Sequence, residues 1–328
     1  MAMDFYSASL TSTSSWNTPL SRTSISALTH PFLSNNGYQT PHGLDDVIQA
    51  VRALRLTWYR YEELRREEVL GEVETYLVEK CAIKRDVFAV KHVKLSDSPD
   101  INAFRRRLKA IIFEVQIMRH GPLREHPNIL SVNGYGWNMK TDQSLPYLVV
   151  EYAPMGSLRE YLALTKRMAT SQDVEILTGD VAAGLSALHT CGIIHGDVKL
   201  DNVLAFASYG NPVGALAKLT DFGHSIVTNT RPGNGSGQIP RYRGTPIYNA
   251  PEVRNQDSSP IGISELSKCD AWAFGLLIWE VCIGGRDYLS YARKHALETN
   301  PAMGDAMTEH GQLLRLAKQA VPVGVGLR

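Results

Sequence analysis

The apolar pattern of this chain is largely β-like before Gly156 and mainly helical after it, and that order restricts its fold more than any other feature. Over residues 68–93 the sequence runs through VLGEVETYLVEK and DVFAVKHV, short β-rich stretches joined by a turn-like link at Lys84 to Asp86. A helix is expected at about 101–119, then a loop with Pro122 and Pro127, then strands at about 129–137 and 147–152. Beyond Gly156 the spacing becomes helical, over 158–166, 173–189 and 271–282. Strands early and helices late predict an α+β protein with a small β-rich N-terminal lobe and a mainly helical C-terminal lobe.

Residues 1–43 are rich in Ser and Thr, with Pro19, Pro31 and Pro41 interspersed and no sustained apolar period. Such a segment buries too little apolar surface to offset its chain entropy, which predicts a disordered tail. Val47, Val51, Leu54, Trp58 and Tyr61 then recur at spacings of three and four, predicting an added helix within 44–65, capped by Asp45 or Asp46. The two lobes are expected to occupy 66–152 and 153–328.

Bulk properties exclude several classes. Lys and Arg total 34 against 33 Asp and Glu, a net charge of +1, which argues against binding nucleic acid or anionic lipid through a basic excess. The four cysteines, Cys81, Cys191, Cys269 and Cys282, are scattered without CxxC spacing, so neither a disulfide scaffold nor a structural zinc site is expected. The N-terminus lacks a secretory pattern. The most apolar run, 271–283, is too short for a membrane span and carries Glu280, so it reads as a buried helix. No membrane partner is expected, and the expected compartment is cytoplasmic or nuclear.

The chemistry concentrates in two segments. His195-Gly196-Asp197-Val198-Lys199-Leu200-Asp201-Asn202 follows the apolar pair Ile193-Ile194, and Asp221-Phe222-Gly223 follows Leu219-Thr220. A hairpin between them would present Asp197, Asn202 and Asp221 to one point. Magnesium prefers hard oxygen ligands, which Asn202 and Asp221 could supply. Asp197 is then free to orient and deprotonate a hydroxyl, with Lys199 offsetting charge on a transferring phosphoryl group.

In this order and spacing the segments resemble the eukaryotic protein kinases of the Ser/Thr type, from about residue 69 to 285. The resemblance implies ATP and Mg2+ as cofactors and a protein as substrate. Phe88-Ala89-Val90-Lys91 is similar to the motif whose lysine holds the α- and β-phosphates, which assigns Ala89 and Lys91 to the nucleotide site and pairs Lys91 with Glu114. His126-Pro127-Asn128-Ile129 resembles the entry to the next strand. Residues 148–153 resemble the hinge: Val150 is then the gatekeeper, the backbones of Glu151 and Ala153 meet adenine, and Leu204 forms the floor. Gly71 fits the first position of the glycine-rich phosphate loop and Val78 its last. Residues 244–252, GTPIYNAPE, resemble the end of an activation segment, and Thr245 would sit near Asp197 and Lys199 to help select a Ser or Thr hydroxyl. Asp270 opens a segment similar to the helix that braces the catalytic loop, and Met118, His195 and Phe222 occupy positions that stack in active members. HGDxxxxN also occurs in kinases of small molecules, such as the aminoglycoside and choline kinases, but GTPIYNAPE and the DAWAFG helix start favour a protein substrate.

Three departures stand out. Val73 and Tyr76 occupy the second and third glycine positions of the phosphate loop, where glycines let amides approach phosphates. Gly196 replaces the arginine that usually precedes the catalytic Asp, which predicts activity independent of activation-segment phosphorylation despite candidate sites at Ser225, Thr228, Thr230 and Ser236. The C-lobe reads as shortened, and Glu252 lacks its usual late arginine partner, with Arg286 or Arg293 as substitutes. The alternative reading is a pseudokinase, the same fold acting as a scaffold. The loop and the short C-lobe favour it; retention of Lys91, Glu114, Asp197, Asn202 and Asp221 opposes it. The basic run Arg105, Arg106, Arg107 and Lys109 reads as a solvated helix face.

Overall fold

The early β-rich stretches form a single sheet in the computed structural model, which describes residues 56–72, 76–94, 101–138, 145–165, 168–228, 241–254 and 261–299. Its strands are β1 (Thr57–Trp58), β2 (Arg65–Glu72), β3 (Tyr76–Ile83), β4 (Asp86–Val93), β5 (Val132–Asn138) and β6 (Leu145–Glu151), in the spatial order β1-β5-β6-β4-β3-β2. The stretch VLGEVETYLVEK is therefore the end of β2 and the start of β3 rather than one strand. Lys84, at φ 58°, makes the tight turn from β3 to β4.

Alternation sorts the strand residues between two apolar clusters. Tyr76, Ala89, Val93, Leu148 and Val150 join the main core shared with the helices. Cys81, Ile83, Val90, Tyr147 and Val149 point the other way, under Tyr59, Tyr61, Leu64 and Phe88.

The helix expected within 44–65 is not formed by its described part. Val47, Val51 and Leu54 lie outside the described residues, as does the tail 1–43. Trp58 sits in β1, and Tyr61 in a single 3-10 turn. Sheet pairing overrides the helical period here. β1 runs parallel to β5, with Thr57 opposite Gly134 and Trp58 opposite Tyr135, and Tyr59 N donates to Tyr135 O at 2.8 Å. Gly134 and Gly136 make room for it: a Cβ on Gly134 would lie 2.4 Å from Thr57 O, and one on Gly136 2.2 Å from the Tyr147 ring. The N-lobe sheet thus begins before residue 66.

The helices are α1 (Ile101–Arg119), α2 (Leu158–Thr165), α3 (Ser171–Thr190), α4 (Leu266–Cys282) and α5 (Tyr288–Thr299), with single helical turns at Gly121–Arg124 and Pro251–Arg254. The first four follow the sequence reading within a few residues. Thr170 starts α3 by a reciprocal cap: its Oγ1 accepts from Asp173 N at 3.2 Å and Asp173 Oδ2 accepts from Thr170 N at 2.7 Å. Among the described residues no helix is long and apolar enough to cross a membrane.

Four short strands carry the chemical segments. β7 (Ile193–Ile194) pairs antiparallel with β10 (Ile226–Val227), and β8 (Val203–Ala207) pairs antiparallel with β9 (Ala215–Leu219). The loop after β7 and the loop after β9 are thereby brought side by side. Asn128 ties this floor to the segment entering β5, accepting from Leu219 N at 2.9 Å through its carbonyl and donating through Nδ2 to Ala217 O at 3.0 Å.

Candidate active site

Asp270, fully buried in the first turns of α4, anchors the loop after β7. Its carboxylate accepts from His195 N at 2.8 Å, Gly196 N at 3.0 Å and the Tyr242 hydroxyl at 2.9 Å, and meets His189 Nε2 at 2.8 Å. Gly196 adopts φ +84°, and a Cβ there would lie 2.3 Å from His224 O. Only glycine fits this left-handed, crowded position without strain. His195 and Phe222 stack with ring centroids 5.4 Å apart, and both are fully buried, as is Met118.

The anchored loop presents Asp197. Its Oδ1 accepts from Thr245 N and Thr245 Oγ1, both at 2.7 Å, and its Oδ2 lies 2.9 Å from Lys199 Nζ and 2.8 Å from Asn202 Nδ2. Lys199 Nζ also donates to Thr245 Oγ1 at 2.8 Å. His224 Nδ1 stands 3.9 Å from Asp197 Oδ2, close enough for charge attraction but too far for a hydrogen bond. Burial by itself would raise the pKa of Asp197; the charges of His224 and Lys199 and the Thr245 hydroxyl outweigh it and hold the carboxyl well below the usual range. Asp197 reciprocally raises the pKa of His224 against the opposing effect of burial. A groove lined by Arg159, Lys199, Asp201, Thr245, Ile247 and Tyr248 opens beside these groups.

Asn202 is held by its Nδ2 bonds to Asp197 O and Oδ2, both at 2.8 Å, which leave its amide oxygen free of that carboxylate. Asp221 sits at φ 61°, an uncommon conformation for a residue with a side chain, and its charge reaches both His224 and Tyr76. These two hard oxygen donors suit a magnesium ion.

The second half of the site lies between the sheet and α1. Lys91 on β4 forms a buried ion pair with Glu114 on α1. Ala89 and Val150 belong to the main apolar core, and Val78 and Leu204 pack against it partly exposed. The Glu151 side chain is turned away, accepting from Ser131 N at 2.7 Å and pairing with Lys218 at 2.6 Å. The Ala153 N–H donates to no group among the described residues, while Ala153 O accepts from Gly156 N at 3.2 Å. Gly71 lies exposed on β2 opposite Val78, and a Cβ there would touch nothing within 4 Å. Its backbone therefore does not demand glycine. Val73 lies outside the described residues.

The structure corrects the reading of Glu252. That carboxylate is exposed, so no buried partner is required. Arg286 donates to Ile283 O, and Arg293 is exposed. The buried carboxylate is instead Glu280 on α4, which meets Arg159 Nη2 at 2.9 Å and accepts from the Tyr248 hydroxyl at 2.8 Å. Arg159 also clasps Asp201 at 2.9 Å and donates to Gly285 O at 2.8 Å. Arg159 and His224 were not singled out from sequence. Each is a lone residue in its segment, and only folding brings it to its partner. Ser225 Oγ donates to His195 O and Thr228 Oγ1 to Gly192 O, both at 3.0 Å. Thr230 and Ser236, like the side chains of Arg105, Arg106, Arg107 and Lys109, lie outside the described residues.

Comparisons with known proteins agree with this geometry. Residues 64–310 match the family model described as protein kinase domain. The chain is 28% identical over 224 residues, 68% of its length, to the serine/threonine-protein kinase CST20 of Candida albicans, of which the match covers 16%. It is 26% identical over 235 residues to the serine/threonine-protein kinase ULK3 of Xenopus laevis, covering 70% of this chain and 44% of that one. It is 29% identical over 234 residues to the mitogen-activated protein kinase kinase kinase 13-B of Xenopus laevis, covering 71% of this chain and 20% of that one. The match thus spans less than half of each of these relatives.

Proposed function

The chain belongs to the protein kinase family, and from that premise we propose that it transfers the γ-phosphoryl group of ATP to a Ser or Thr hydroxyl of a protein substrate. The observation that carries this reading is the Asp197 constellation. A buried carboxylate is kept ionised by Lys199, Thr245 and His224, and one groove beside it is open.

Asn202 and Asp221 would hold magnesium, and Lys91, steadied by Glu114, the α- and β-phosphates of ATP. Bound Mg-ATP supplies the phosphoryl group and offsets its charge. Asp197 orients the substrate hydroxyl and receives its proton on Oδ1 or Oδ2. Lys199 stays protonated beside it and stabilises charge on the transferring group. Thr245, bonded to both, holds the two in register. Val78, Ala89, Val150 and Leu204 would enclose the base, with the backbones of Glu151 and Ala153 at its edge. Positioning and electrostatics carry most of the rate, because the loose transition state needs little covalent help.

Activity independent of activation-segment phosphorylation is part of this proposal. Gly196 offers no guanidinium to a phosphate. The segment is tied down instead by Tyr242 on Asp270, Thr245 on Asp197 and Tyr248 on Glu280.

The test is γ-phosphate transfer from radiolabelled ATP to a generic protein substrate, compared with Asp197→Asn. Loss of a general base is expected to reduce transfer about 10²- to 10⁴-fold. Equal rates in the two proteins would refute the assignment. A scaffold without efficient transfer is the second reading, favoured by the place of Tyr76 against Lys91; measurable Mg-ATP binding with no transfer would support it.

A further inference from the structure

Tyr76 is the third-glycine residue of the phosphate loop, and its side chain points into the site. It shares a face of β3 with Val78 and stands diagonally across from Lys91 on β4. Only 4% of Tyr76 is exposed, and Lys91 Nζ lies 4.5 Å from the centre of its ring. That is a cation–π contact, and it occupies the ammonium a nucleotide's phosphates would need. Lys91 is itself only 8% exposed. The Tyr76 hydroxyl faces Glu114 and the charge of Asp221, and its contact with the Glu114 carboxylate falls outside regular hydrogen-bond geometry. Packing and the Lys91 charge seat the ring.

We infer that the Tyr76 ring is an internal plug that competes with the phosphates of a nucleotide for Lys91, so that Lys91 must leave the ring to hold them and the phosphates add little net affinity to that of the nucleoside. The inference rests on the nucleotide-binding reading above and adds a specificity determinant to it. A glycine at this position leaves the space beside Lys91 open. A phenylalanine keeps it filled and removes only the hydroxyl.

Calorimetric titration of the full chain with adenosine, ADP and ATP, each in magnesium buffer, tests this on wild type, Tyr76→Gly and Tyr76→Phe. Wild type and Tyr76→Phe are expected to bind ATP and adenosine with affinities within about threefold of each other. Tyr76→Gly is expected to bind ATP at least about tenfold more tightly than adenosine, with its adenosine affinity unchanged. Wild type that itself prefers ATP over adenosine by about tenfold overturns the plug, whether or not the glycine variant folds. So does Tyr76→Gly with intact adenosine binding and an unchanged ratio. If no form binds adenosine, the nucleotide-site reading fails and takes this inference with it.

Discussion

At the scale of single residues, His224 and Asp197 set each other's charge. His224 follows the Asp221-Phe222-Gly223 motif, and its imidazole lies between Asp197 and Asp221, with Lys199 as the opposing cation. Its pKa is raised in the folded chain. The favourable pairing is therefore fully present below the ordinary histidine value, about 6.5, and is lost as pH rises through the higher folded value. His224→Asn is accordingly expected to lower the urea midpoint most near pH 5.5 and hardly at all near pH 9, estimates that follow from this linkage. Loss of the imidazolium charge also makes Asp197 more basic. The wild-type transfer rate should rise with pH across that window, and the variant's profile should be flatter. Parallel profiles would show that His224 does not tune Asp197. Asp197, Lys199, Asn202 and Asp221 stand out as candidates in the sequence because close spacing along two segments groups them. His224 does not, because a lone histidine next to a motif has no signature until a carboxylate is folded against it.

At the scale of elements, α2, α4 and the segment ending at Tyr248 are locked by one side chain. Arg159 on α2 meets Glu280 on α4 across 121 residues, and its Nη2 donates to the Tyr248 hydroxyl at 2.8 Å. Glu280 is fully buried, so removing its cation leaves a buried carboxylate uncompensated. Arg159→Met is expected to destabilise the chain by about 3–5 kcal/mol in chemical denaturation. Adding Glu280→Gln should recover part of that loss, since the two positions are coupled. Strictly additive losses would show that the pair does not act as a unit. The elements themselves were largely legible: α1 to α4 appear within a few residues of the segments read as helical. The segment around Trp58 went the other way. Its helical spacing was overridden by backbone pairing to β5, which the glycines at 134 and 136 permit and no local pattern announces.

At the scale of the whole molecule, the two lobes share one apolar core that runs from Leu56 to Tyr288. Glu114 and Lys91 close it from α1 and β4, and the stacked His195 and Phe222 close it below. Among the described residues, the segment around 242–248 is tied to this body by Tyr242 on Asp270, Thr245 on Asp197 and Lys199, and Tyr248 on Glu280 and Arg159, all of them side chains of the unmodified chain. Treating the purified protein with phosphatase is therefore expected to leave its transfer rate unchanged, measured against a mock-treated sample. A large loss of rate would mean that a phosphate, not these contacts, holds the segment.

The sequence by itself determined the α+β class, the family, and the catalytic and metal-binding candidates. Each of these is written locally, in hydrophobic period or in residues a few positions apart. Only the tertiary structure decided which carboxylate is buried, which arginine answers it and where the Tyr76 ring rests. Glu280 and Arg159 are separated by most of the C-lobe, and Tyr76 reads in sequence only as a missing glycine. Whether that side chain points to solvent or onto Lys91 depends on strand register. Register is settled by pairing across the sheet, so the difference between an open and a plugged phosphate site appears only once β3 is laid against β4.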